Sequence, residues 1–270
     1  MLIPTHDHTL EKKINSPIYL LSVRMPRIPL IEDLTEEPIL PGSNILVEFD
    51  PASQWYNASL TIAAGWVKTG GLSSYNVYEH PPESVRLQRK KLGLEVEKLE
   101  SSEKLRVIDW YTFQLGQKSV EKYAAPTASL KVADLSILQS RGLMGESKGL
   151  FPGTGWRLGP DVLRVTDDDL VIARFNDEKN FVDYWRTREI PSAPSTKSTT
   201  IFGAVKGVFS DFLYKSLEGS VDGIIDFKLE EEGNTTRDLM RVRSLRNVHF
   251  DRAWHELKIH ENFEIQFLDR

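Results

Sequence analysis

The sequence predicts an α/β fold: a mostly parallel sheet flanked by helices, with antiparallel strands closing the C-terminal end. Three features carry this reading. Short β-branched and apolar runs alternate with helical stretches along most of the chain, as strand–helix–strand units require. The C-terminal part instead offers paired strand-like runs around a polar turn, the pattern of a hairpin on the edge of a parallel sheet. The length, 270 residues, suits one large domain, and no repeat or linker divides it.

The elements follow in order. Residues 1–27 are mixed and mildly basic and form an N-terminal extension, with a short strand-like run from Ile18 to Val23; residues 28–270 form the domain. The turn Pro41-Gly42-Ser43-Asn44 leads into Ile45-Leu46-Val47-Glu48-Phe49, a buried strand. Ala58, Leu60, Ile62, Ala63, Trp66 and Val67 give the next stretch a helical pattern that ends near Gly70-Gly71. A second strand runs from Ser74 to Glu79 and stops at His80-Pro81-Pro82; a basic helix from Ser84 to Leu92 stops at Gly93. Leu105 to Asp109 is a third strand, followed by a short helix from Ala133 to Gln139 and a glycine-rich stretch from Gly142 to Gly159. Asp169-Leu170-Val171-Ile172-Ala173 reads as a fourth strand, Lys179 to Arg188 as a helix, Pro191 to Thr199 as a polar loop and Thr200 to Val205 as a strand. Val221–Leu229 and Asp238–Leu245 pair across Glu230–Asn234, and a last strand pair lies between Leu257 and Phe267.

Composition narrows the class. Hydrophobic residues at 40% and charged residues at 27% are those of a globular chain with a full core. A net charge of −5 argues against a surface devoted to nucleic acid. The absence of cysteine excludes disulfides, thiolate metal sites and a thiol nucleophile. No apolar run is long enough for a membrane span and no signal-peptide pattern opens the chain, so the expected location is the cytoplasm.

Five segments in this order resemble the archaeal KaiC-like branch of the RecA superfamily. They are Ile28–Leu34, Pro41–Glu48, Tyr78-Glu79-His80-Pro81-Pro82-Glu83 with Leu92-Gly93, Leu105–Asp109, and Val221–Ile225 with Glu230–Gly233. The resemblance implies a RecA-like P-loop NTPase fold over Ile28 to Phe267, and an archaeal or similar origin. It also implies a nucleotide site that these residues do not reproduce. A P-loop needs glycines that open backbone N–H groups to phosphates, a lysine for the β- and γ-phosphates and a hydroxyl for magnesium. Here Phe49 takes the first glycine position, and Gln54, Trp55 and Tyr56 take the second glycine, the lysine and the hydroxyl. Asp50 to Thr61 contains no lysine, arginine or glycine.

The other parts of the site fare similarly under the resemblance. The aspartate that ends an apolar strand and orients magnesium falls on Ala173, with Asp167, Asp168 and Asp169 ahead of that strand. Of the two glutamates after the second strand, Glu79 is kept and His80 replaces its neighbour. Of the family's Lys-x-Arg pair, which reaches a neighbouring subunit's nucleotide, Arg246 matches the arginine and Ser244 replaces the lysine; Arg243 substitutes only with a register shift. The expectation is a pseudo-ATPase without ATP or magnesium. It acts as a regulatory, signalling or scaffold subunit, in a homo-oligomer or with an active RecA-like relative. A ligand sensor using the old cleft and a DNA-binding recombinase paralogue are the alternatives.

Other motifs carry less. His6-Asp7-His8 has metal-ligand chemistry but lies in the extension, and Gly153-Thr154-Gly155-Trp156-Arg157 lacks the strand and Gly-Lys step of a phosphate loop. Arg237, Arg241, Arg243, Arg246 and Arg252, with His249 and Trp254, form either a nucleic-acid contact or a charged strand face opposite Glu230–Glu232. There is no Gly-x-Ser-x-Gly elbow, and adjacent Glu79 and His80 on a strand point to opposite faces.

Overall fold

The computed structural model describes residues 26–124, 158–168, 170 and 177–268. Its strands are β1 (Asn44–Phe49), β2 (Leu72–Val77), β3 (Leu105–Asp109), β4 (Val162–Thr166), β5 (Thr199–Val205), β6 (Gly223–Glu232), β7 (Thr235–Leu245), β8 (His255–Ile259) and β9 (Ile265–Phe267). They form a nine-stranded sheet in the order β3-β2-β4-β5-β1-β6-β7-β8-β9. The pairs from β3 to β6 are parallel, and those from β6 onward are antiparallel. The fold class is therefore as expected.

Burial of both faces explains why β1 and β5 read as unbroken apolar runs. Successive side chains of β1 alternate between the two layers: Ile45 and Val47 enter one core, Leu46 the other. The first core is closed by helices α1 (Trp55–Lys68), α2 (Pro82–Lys91) and α3 (Val96–Ser101), through Ile62, Trp66, Val85 and Val96. After the short turn of helix α4 (Tyr111–Gln114), the second core is closed by α5 (Glu178–Tyr184) and α7 (Asp211–Glu218), through Phe181, Leu213 and Leu217. Between them lie a π-helical turn, Trp185–Glu189, and α6 (Ile190–Thr196). Helices on both faces leave the C-terminal ends of the parallel strands clear, the edge at which such sheets bind ligands.

Two sequence expectations need correction. The strand between β2 and β5 is Val162–Thr166, ahead of the expected Asp169–Ala173 run; Val162 and Leu163 are fully buried and Arg164 is kept at a half-buried position. Ala173 itself lies outside the described residues. The polar loop expected over Pro191–Thr199 is helical as far as Thr196. Pro191 and Pro194 supply no N–H, and the widened π turn precedes them where the helical bonding changes register. The hairpin forms as expected, with Glu232 opposite Thr235, as does the β8–β9 pair. The expected elements at Ile18–Val23 and Ala133–Gln139, and the His6-Asp7-His8 and Gly153–Arg157 motifs, lie outside the described residues.

Candidate functional site

At the C-terminal edge of the parallel strands, the turn Asp50–Gln54 joins β1 to α1. It is tied down by local bonds: Asp50 N–H donates to Phe227 O at 3.2 Å, and Ser53 donates to Asp50 O through both N–H and Oγ. Lys206, at the end of β5, donates its N–H to Phe49 O at 2.8 Å and holds its Nζ 3.5 Å from Asp50.

Trp55 opens α1 with its ring turned inward and only 1% exposed. The ring packs against Phe227, centroids 5.5 Å apart, and Phe49, 6.2 Å apart. Its Nε1 donates to the backbone oxygen of Asp167 at 2.7 Å. This bond crosses β5 at Gly203, where a Cβ would stand 1.9 Å from Asp167 O and 2.6 Å from Trp55 Nε1. Glycine here serves close approach rather than an unusual backbone conformation.

Because β4 ends at Thr166, Asp167 is the acid that follows the strand, at the C-terminal edge of the sheet. Its Oδ1 accepts the N–H groups of Tyr78 and Asp168, and its Oδ2 that of Glu79. Asp167 thus fixes the end of β2. Glu79 is exposed there, while His80 stacks on Tyr56 with ring centroids 3.7 Å apart and points Nδ1 toward Asp167 Oδ2 at 3.8 Å. Burial pushes the Tyr56 phenol well above its ordinary range, with the charge of Asp167 adding to the effect. The structure therefore brings Phe49, Asp50, Gln54, Trp55, Tyr56, Glu79 and His80 to one edge.

It does not bring Arg243 or Arg246 there. Arg243 reaches across the sheet to Glu48 at 2.7 Å, Glu218 at 3.0 Å and Asp226 at 3.4 Å. Burial pushes the Glu48 carboxyl up despite this partner. Arg246 lies past β7, opposite the start of β6, at the far edge; it is 57% exposed and 3.6 Å from Asp222. The remaining C-terminal arginines are also engaged: Arg237 with Glu230 and Glu232, Arg241 with Asp226 and the Trp254 ring, and Arg252 over Phe250. Sequence reasoning missed Asp167, Lys206 and Gly203. The signal for Asp167 was present in Val162–Thr166, a β-branched run ending in an acid. Among the described residues no group of acids and histidines has the arrangement of a metal site, and no helix is long and apolar enough to cross a membrane.

The strand order, with β1 flanked by β5 and β6 and the first helix springing from its end, defines a RecA-type α/β fold. The comparison with solved structures agrees. A KaiC-like protein from the hyperthermophilic archaeon Pyrococcus horikoshii superposes with a TM-score of 0.61 over 90% of this chain and 97% of its own, at 14% identity. No protein-family model and no curated protein matches the sequence.

The Trp55–Asp167 bond yields a prediction. Gly203→Ala should cost about 3 kcal/mol, because backbone and indole must both move. Trp55→Phe, which keeps a ring but loses the donor, should cost about 1–2 kcal/mol. Urea denaturation measures both; a neutral Gly203→Ala would show that the contact is not made.

Proposed function

We propose that this chain is a non-catalytic RecA/KaiC-like subunit that acts by binding other proteins, as a regulatory, signalling or scaffold component. The inward-turned Trp55 is the observation that best supports this reading. In a working P-loop the helix begins with N–H groups open to phosphate and a lysine that reaches them. Here the turn has neither glycine nor cation, and an aromatic ring anchored to Asp167 occupies the lysine position. Lys206 is drawn to Asp50 and Asp226. Asp167, the acid after the strand, spends its carboxylate on three backbone N–H groups. These residues do not fit Mg-ATP. A second reading, a small ligand in the old cleft, draws on the exposed Glu79 and the part-exposed His80 at its mouth.

The charge layout favours assembly. Asp50 and Glu79 lie at one edge of the sheet and Arg246 at the other, so complementary charges meet when copies, or a copy and a RecA-like relative, stack head to tail. Nucleic acid is a poor fit, since the C-terminal arginines described are engaged within the chain.

Calorimetry with Mg-ATP should give a dissociation constant no tighter than about 1 mM. Micromolar binding would overturn the reading. Light scattering should find an oligomer that Arg246→Glu weakens. A monomer indifferent to that change, and equally indifferent to RecA-like relatives, would end the assembly proposal.

A further inference from the structure

A polar cluster buried between α1, α2 and β2 lies beside the edge described above. Arg89 of α2 is completely buried, and its Nε, Nη1 and Nη2 make no hydrogen bond. Its guanidinium lies over the Tyr75 ring, 4.9 Å from the centroid. That contact attracts the cation but accepts none of its N–H groups. The Tyr56 hydroxyl is likewise buried without a partner, and it is close enough to Arg89 for each to shift the other's ionisation. The Tyr75 hydroxyl is already committed to Ser59 Oγ at 2.5 Å.

The acids felt by this cluster are taken elsewhere. Both oxygens of Glu100 accept from Arg86 Nε, and the oxygens of Asp167 accept backbone N–H groups. Burial lowers the Arg89 pKa to about 10, which leaves the group charged at neutral pH. A buried cation without a counter-charge or acceptor is strongly unfavourable, and no described residue supplies either to Arg89.

We propose that Arg89 and the Tyr56 hydroxyl together hold a small monovalent anion of chloride size beneath the Tyr56–His80 stack. A spherical anion accepts from guanidinium and phenol without a planar match. Multiply charged oxyanions are disfavoured, because the field of Asp167 reaches both Tyr56 and Tyr75. His80, stacked on the Tyr56 ring, has a side chain that is 39% exposed. The ion would bridge the start of α1 to α2 and stiffen the floor of the cleft.

Thermal unfolding of the whole chain in sodium chloride and in sodium gluconate at equal ionic strength tests this. Chloride should raise Tm saturably, by about 5 °C. Arg89→Met should abolish the difference and Tyr56→Phe reduce it. If Arg89→Met does not fold, crystals of the unaltered chain grown in bromide decide. An anomalous peak within hydrogen-bond distance of Arg89 supports the site. Identical melting in the two salts, or no bromide peak beside Arg89, overturns it.

Discussion

Trp55, Asp167 and Gly203 form one contact on which the C-terminal edge of the sheet depends. The indole of α1 passes over β5 to a carbonyl after β4, and only a residue without a side chain lets it pass. The same Asp167 then clasps the end of β2 through its carboxylate. Four elements (β4, β5, α1 and β2) thus meet through a single aromatic donor and a single acid. The indole N–H and the Asp167 carboxylate both find their partners within the chain, so this edge is held by internal contacts.

Charge on the other face of the sheet follows the same economy. Glu48 projects from β1 beside Asp226 of β6, and both would be buried acids without Arg243 and Arg241 from β7. Buried acids need partners, so the antiparallel extension supplies them and is bound to the parallel core by charge as well as by backbone pairing. Lys228 and Arg241 both lie over the ring of Trp254, extending the arrangement toward β8. The basic C-terminal run is therefore largely paired within the chain, and Arg246 stands apart from it at the far edge.

Much of the sheet was legible in the sequence because buried parallel strands are apolar throughout and their turns are marked by glycine and proline. β1, β3 and β5 and the β6–β7 hairpin came out near their true bounds for that reason. β4 did not. Arg164 interrupts its apolar run, so Val162–Thr166 reads less clearly than the more continuous Leu170–Ala173 stretch, and the acid that follows β4 is Asp167. Helix α7 was overlooked because its apolar face rests on few residues, mainly Leu213 and Leu217. At the site, the aromatic pair Trp55 and Tyr56 at the start of the helix after β1 could be read directly. Where the Trp55 ring turns could not, since that depends on Gly203 and Asp167, far away in sequence.

Held by the Asp167 carbonyl, Trp55 should stay in place whether or not nucleotide is offered. Nuclear magnetic resonance of the Trp55 indole N–H, assigned by its loss in Trp55→Phe, tests this directly. The expected resonance is shifted by hydrogen bonding, slow to exchange with solvent and unmoved by excess Mg-ATP. An indole that exchanges freely, or that shifts progressively as Mg-ATP is added, would contradict it.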